Sequence, residues 1–245
     1  MPRFFIAASN IFGGVAYISG RDTEHIRALR IRQGEAFTLC DGNGTDYSCV
    51  LTKLDPDGAE AQILDKLPSA GEPSVSCTVL AAFSKGDRME TAVQKCVELG
   101  ASEFVIFPSA RCVARPDEKA LIKKTARLQA IAEEAAKQSG RGRIPPVTVE
   151  PSFAAAISRA AKADIPLFCY EDERELPIKR AIEERRENAK TVSIVTGPEG
   201  GFEPSEARLA KEAGLRSVTM GPRILRCETA PICAVAAVML LTDNL

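Results

Sequence analysis

Residues Thr191–Val238 read TVSIVTGPEGGFEPSEARLAKEAGLRSVTMGPRILRCETAPICAVAAV, two strand–loop–helix units in tandem. In the first, Val192–Thr196 is a short β-branched apolar run, the pattern of a buried strand. It leads directly into Gly197-Pro198-Glu199-Gly200-Gly201. Glycine permits positive φ and close backbone approach, while proline fixes φ and removes a donor. Such a loop exposes peptide N–H and C=O groups to a ligand. A helix is expected from Pro204, proline suiting its first position, with Gly214 as its C′ stop. The second unit repeats the plan: a strand to Met220, the turn Gly221-Pro222, then Arg223–Ala230 leading into a last helix.

Loops at the carboxyl ends of parallel strands are where open α/β sheets bind ligands. One Gly-Pro loop can be a plain connector. Two in tandem, with Arg226 and Glu228 set into the second, point to a site.

Working outward, the chain from Val75 alternates strands and helices, which predicts a parallel sheet covered on both faces. Strands are expected at Val75–Phe83, Phe104–Phe107 and Pro166–Tyr170, and helices at Arg88–Leu99, Asp117–Gln138 and Pro177–Asn188. The long helix places Leu121, Thr125, Leu128, Ala132 and Ala135 on one stripe, with Lys119, Lys123, Lys124, Arg127 and Lys137 opposite. Residues 1–70 differ. Strand-like runs at Phe4–Ala7, Val15–Ser19, Ala36–Cys40, Tyr47–Leu54 and Ala59–Leu64 are separated by the turn sequences Asp41-Gly42-Asn43-Gly44 and Asp55-Pro56-Asp57-Gly58. With one helix at Thr23–Leu29, they predict a small β-barrel. The run Pro68–Pro73 reads as a linker, giving domains 1–70 and 74–245.

Thirty-two Lys and Arg against 33 Asp and Glu leave a net charge of −1, so any contact with nucleic acid must come from local clusters. Eight scattered cysteines form no CxxC pair, and His25 is the sole histidine; a structural metal is not expected, and a reducing cytoplasm is. Met1-Pro2-Arg3 opens a short apolar run unlike a secretory leader. The longest apolar stretch, Ala230–Leu241, is too short to span a bilayer. Its all-round apolar character predicts a buried helix or a subunit interface.

TGPEGGF (residues 196–202) followed by GPRILRCETA (221–230) resembles the paired signature of the SPOUT methyltransferases. More narrowly, it is similar to their RsmE family, which acts on N3 of a uridine in small-subunit (16S) ribosomal RNA. The likeness extends to SKGDRME (84–90) with QKCVELG (94–100), and to EAAKQSGR (134–141), so it covers nearly the whole chain. It implies a PUA-like barrel at the N-terminus and a catalytic domain with a deep trefoil knot near the C-terminus, against the general rule on topology. It also implies S-adenosylmethionine as methyl donor, a homodimer, and a partner that is small-subunit RNA or the 30S particle.

On that resemblance, Thr196, Gly197, Pro198, Gly200, Gly201, Met220, Gly221, Ile224, Leu225, Thr229 and Ala230 form the cofactor cradle, with Leu167 and Tyr170 as one wall. Arg3, His25, Arg27, Arg30 and Arg32 of the barrel are expected to position RNA through its phosphates. Lys85 and Arg88, at a strand's carboxyl end, and Arg141 and Arg143, beside glycines in a loop, suit the same contact. A uridine N3 carries a proton, so a base must accept it and a cation must stabilise the charge spreading onto O2 and O4. Arg226 is the expected cation. Glu199 or Glu228 is expected either to take the proton or to organise the loop. Cys227 lies where the family varies, which argues against a catalytic thiol. The alternatives are a non-catalytic ribosome-assembly protein, or a SPOUT enzyme acting on tRNA or a ribose 2′-hydroxyl. A nicotinamide-dependent oxidoreductase lacks support, because no GxGxxG follows an early strand.

Overall fold

The computed structural model describes residues 2–245. They divide into two compact units, one running to Glu72 and including Ala136–Ile144, the other Pro73–Ala135 with Pro145–Leu245.

The first unit contains β1 (Arg3–Phe5), β2 (Ile11–Phe12), β3 (Val15–Ile18), α1 (Arg21–Ala28), β4 (Ala36–Cys40), β5 (Thr45–Asp55) and β6 (Gly58–Pro68). The strands form one sheet in the order β1-β4-β5-β6-β3-β2, antiparallel except for β1 beside β4. Alternate residues of β4 and β5 turn inward, so Phe37, Leu39, Cys49 and Leu51 meet Phe4 of β1 and Ile26 of α1 in a single core. Each large apolar side chain so buried contributes roughly 1.5–3 kcal/mol. β1 and β2 are not hydrogen-bonded to each other, so this is an open barrel. The tip between β4 and β5 is held by Asp41, whose Oδ1 accepts the N–H groups of Asn43 at 2.8 Å and Thr45 at 3.0 Å.

Two arginines expected at phosphates are committed inside this unit. Arg141 is buried, its Nε and Nη2 each 2.9 Å from the Glu72 carboxylate, which also accepts the N–H groups of Gly142 and Arg143. Burial resists ionisation of Glu72, but the Arg141 guanidinium outweighs it and holds that carboxyl below its usual value. The phosphate role expected of Arg141 is therefore corrected to a buried structural pair. Arg3 likewise pairs with Asp46 and reaches Ser69. His25, Arg27, Arg30, Arg32 and Arg143 are exposed; the His25 ring stands edge-on to Phe4, and Arg27 donates to the Asp55 carbonyl.

The second unit contains β7 (Ser76–Ala82), α2 (Arg88–Glu98), β8 (Glu103–Phe107), most of α3 (Glu118–Ser139), β9 (Val147–Val149), α4 (Phe153–Ala160), β10 (Ile165–Cys169), α5 (Ile178–Glu183), β11 (Thr191–Thr196), α6 (Pro204–Glu212), β12 (Arg216–Val218) and α7 (Thr229–Leu241). All six strands are parallel, ordered β12-β10-β11-β7-β8-β9. Central β11 is buried from Val192 to Thr196, with the buried Ser193 hydroxyl donating to the Ala160 carbonyl at 2.7 Å. Edge strand β9 and the alanine-rich α4 lie in a stretch the sequence reading leaves unassigned. The helix expected to reach Asn188 stops at Glu183, and a 3-10 turn at Arg186–Asn188 follows. α6 begins at Pro204; Glu206 of its first turn reaches back to the Glu203 N–H at 3.0 Å. Gly214, at φ 91°, ends it.

β11 and β12 lie on either side of β10. The two Gly-Pro loops therefore converge over the end of β10, and that convergence makes the site.

Candidate active site

A cavity of about 520 Å³ occupies the carboxyl ends of β10, β11 and β12. The first loop contributes Thr196, Gly197, Pro198, Glu199, Gly200 and Gly201, and the second Met220, Gly221, Ile224, Leu225, Arg226 and Glu228, with Tyr170 and Ala230 also in the wall. Two expected residues fall outside. Leu167 is fully buried in the sheet, because β10 ends two residues later, at Cys169. Thr229 is exposed at the start of α7 and is not part of the cavity lining. Cys169, Glu171, Val218, Thr219, Arg223 and Cys227 line it without having been expected there.

The first loop is clamped from three sides. Gly201 has φ 67°, and a Cβ there would lie 1.8 Å from Oε1 of Glu171, which accepts the Phe202 N–H at 2.9 Å. Only glycine fits. A Cβ on Gly200 would press on Arg111 at 3.1 Å, whose Nη1 donates to the Gly200 carbonyl at 3.2 Å. Glu199 accepts from the Lys85 N–H and from Nη1 of Arg88, both at 2.8 Å, through the same oxygen. Burial works against ionisation of Glu199, but these hydrogen bonds and the Arg88 charge hold its carboxyl below the usual value. Arg88 is thus a wall of this cavity and a partner of glutamates; Lys85 remains exposed beside it.

The second loop is arranged differently. Glu228 lies 3.9 Å from Nε of Arg88 and accepts from the Cys227 thiol at 3.3 Å. Burial, then that contact with Glu228, pushes the Cys227 thiol up to about 11, so it is not a nucleophile at neutral pH. Arg226 is exposed at the cavity wall and its side chain makes no hydrogen bond or ion pair with any described residue.

S-adenosylmethionine fits this donor set. The backbone polar groups of Met220, Ile224 and Leu225 have no hydrogen-bond partner among the described residues, and they belong to a wall of aliphatic side chains and glycines. Free amides and carbonyls in an apolar slot are what an adenine edge and face require. Among the described residues, no group of three or more His, Cys, Asp or Glu is placed to hold a metal ion, and no helix is long and apolar enough to cross a membrane.

Residues 71–239 match the family described as RNA methyltransferase domain, and residues 18–64 the RNA methyltransferase PUA domain. Fold and cleft together define an RNA methyltransferase with an N-terminal PUA domain. The ribosomal RNA small subunit methyltransferase E of Bacillus subtilis (strain 168) is 33% identical over 93% of this chain and 91% of its own. That of Mycobacterium bovis is 34% identical over 98% of this chain and 92% of its own. Among solved structures, the Neisseria gonorrhoeae ribosomal RNA small subunit methyltransferase E bound to S-adenosylmethionine aligns with a TM-score of 0.84 and 34% identity over 98% of each chain. A Legionella pneumophila methyltransferase with the same bound cofactor aligns at 0.82 and 27% identity, over 97% of this chain and 96% of its own. The chain belongs to the ribosomal RNA small subunit methyltransferase E family.

Proposed function

We propose that this protein moves a methyl group from S-adenosylmethionine to N3 of a uridine in 16S ribosomal RNA, in the cytoplasm. The observation that carries the reading is Arg226, a guanidinium without a counterion on the wall of a cleft suited to an adenosine. When bound, S-adenosylmethionine supplies an electrophilic methyl on a sulfonium, so the protein's task is alignment and charge control. The clamped first loop and the free backbone groups of the second hold the nucleoside. Arg226 stabilises the negative charge that spreads onto O2 and O4 of the uracil as N3 is deprotonated. Glu228 accepts that proton, directly or through water, since Glu199 is occupied as the anchor of its loop.

Arg27, Arg30 and Arg32 of the barrel, with Arg143 and Lys85, hold RNA phosphates without reading bases. The two cofactor loops are threaded through the trefoil knot of the SPOUT fold. The enzyme works as a homodimer: Cys233 and Leu240, seven residues apart and so on one face, lie exposed on the apolar helix α7, a face a second copy would cover. Sedimentation of active enzyme as a 26.3 kDa monomer would refute the dimer.

The deciding experiment is mass mapping of ribosomal and transfer RNA from cells lacking the gene. Loss of a single N3-methyluridine from small-subunit RNA, restored by the wild-type chain and not by Arg226→Ala, is the expected result. An unchanged 16S map with a modification missing from tRNA or from a ribose would overturn it.

A further inference from the structure

β7, β8 and β9 end on the same edge of the sheet as the cofactor strands, and a second cavity of about 440 Å³ lies over their carboxyl ends. Its walls are flat and apolar, built from Phe83, Pro108, Pro151 and Phe153 with Leu121 of α3. Its polar groups are already engaged: Ser109 donates to Glu206 at 3.1 Å, Ser152 caps α4, and Glu150 is paired with Arg159 at 2.8 Å. Arg115 is the exception. It donates to the carbonyls of Cys112 and Ala110 at 3.5 and 3.1 Å, but forms no ion pair with any described residue, so its charge is not neutralised. Lys119 and Lys123, early in α3, are exposed and equally without an ion pair among the described residues.

The segment 108–116 lines the second cavity and braces the first cofactor loop from outside the cleft. Pro108, Ser109 and Arg115 face the second cavity, while Arg111 holds the Gly200 carbonyl. Glu206, just beyond the first cofactor loop, grips the Ser109 hydroxyl and the Ala110 N–H at 3.1 and 3.0 Å. An apolar slot with one uncompensated guanidinium matches an unstacked nucleobase with its phosphate. We propose that this cavity receives the RNA nucleotide flanking the methylated one, its base against Phe153 and the prolines and its phosphate on Arg115. The proposal rests on the RNA methyltransferase reading above and extends it to a substrate subsite.

The test uses Leu121→Trp, which fills the slot from α3, and Arg115→Ala, which removes the cation. Each is compared with wild type in methylation of small-subunit RNA fragments, in RNA binding by fluorescence anisotropy, and in calorimetric titration with S-adenosylmethionine. Each variant should weaken RNA binding and raise KM for RNA about tenfold, with cofactor affinity within twofold of wild type. A fragment made abasic beside the acceptor uridine should lose the same factor with wild type, and nothing further with Leu121→Trp. Wild-type RNA affinity in both variants, or an abasic loss repeated in full in Leu121→Trp, would overturn the subsite. Wild-type enzyme that binds these fragments without methylating them would overturn the activity reading alone.

Discussion

Arg88 and Glu199 lie on different βα connections, 111 positions apart, yet the Arg88 guanidinium donates to Oε1 of Glu199 at 2.8 Å. The same oxygen accepts the Lys85 N–H, so Glu199 ties the end of β7 to the first cofactor loop. A carboxylate so engaged serves as an anchor. Glu199→Gln should therefore weaken S-adenosylmethionine binding about tenfold, the scale of one charge-assisted hydrogen bond, and change kcat at saturating cofactor by less than threefold. Calorimetry and single-turnover kinetics check this. Unchanged affinity with a large fall in kcat would make Glu199 the proton acceptor.

Arg226 and Glu228 should behave in the opposite way. Removing a cation from developing oxyanion charge costs about 10²–10³ in rate, so Arg226→Ala should lose that factor in kcat while holding the cofactor as tightly as wild type. Lost affinity in a folded variant would reassign the side chain to binding. Glu228→Gln should lower the rate by about 10²–10⁴, as for loss of a general base. A rate within about threefold of wild type at saturating substrates would exclude Glu228 as the base.

The placing of these residues was readable in part. Glycine and proline at 197–201 and 221–222 encode backbone conformations, and the sequence carries that information locally. What the loops close upon is not local. Glu171, which makes Gly201 obligatory, is an acid at a strand end like any other, and Arg111 has no pattern around it. Leu167 was expected in the wall and is instead buried two residues below the end of β10. Arg141 departs from expectation for the same physical reason: an arginine beside glycines reads alike whether it meets solvent or a half-buried carboxylate 69 positions earlier. Three-residue β9 offers too little periodicity to register at all.

Glu72 and Arg141 give a prediction on stability. Their side chains are 19% and 3% exposed, and breaking such a pair leaves an uncompensated charge. Arg141→Ala should lose about 3–5 kcal/mol in urea unfolding, whereas Arg141→Met with Glu72→Met should be far milder. The pH dependence has a definite sign. The Glu72 carboxyl is held below its usual 4.5, so its contribution is present above that value and disappears as pH falls through the lowered one. Wild type should therefore lose stability on acidification below pH 4.5 more steeply than the double Met variant. Equal slopes would sink the assignment.

Two buried cysteines contribute on the alkaline side. Burial raises the Cys169 thiol, under the cofactor cavity, to about 12 and the Cys49 thiol, in the barrel core, to about 11, both from an ordinary value of 9.0. In the unfolded chain each thiol ionises from pH 9, while in the folded chain it keeps its proton. The unfolded state thus binds fewer protons between these values, and stability falls as pH rises, by about 1.4 kcal/mol per pH unit for each thiol held protonated. The contribution is complete below pH 9 and is lost by pH 11 for Cys49 and by pH 12 for Cys169. Lysines and tyrosines titrate over the same range, so the informative quantity is the difference between wild type and Cys49→Ala or Cys169→Ala. After subtraction of each variant's loss at pH 8, unfolding free energies from pH 8 to 11 should show wild type falling more steeply than either. Parallel curves would mean these thiols reach water before the fold is lost.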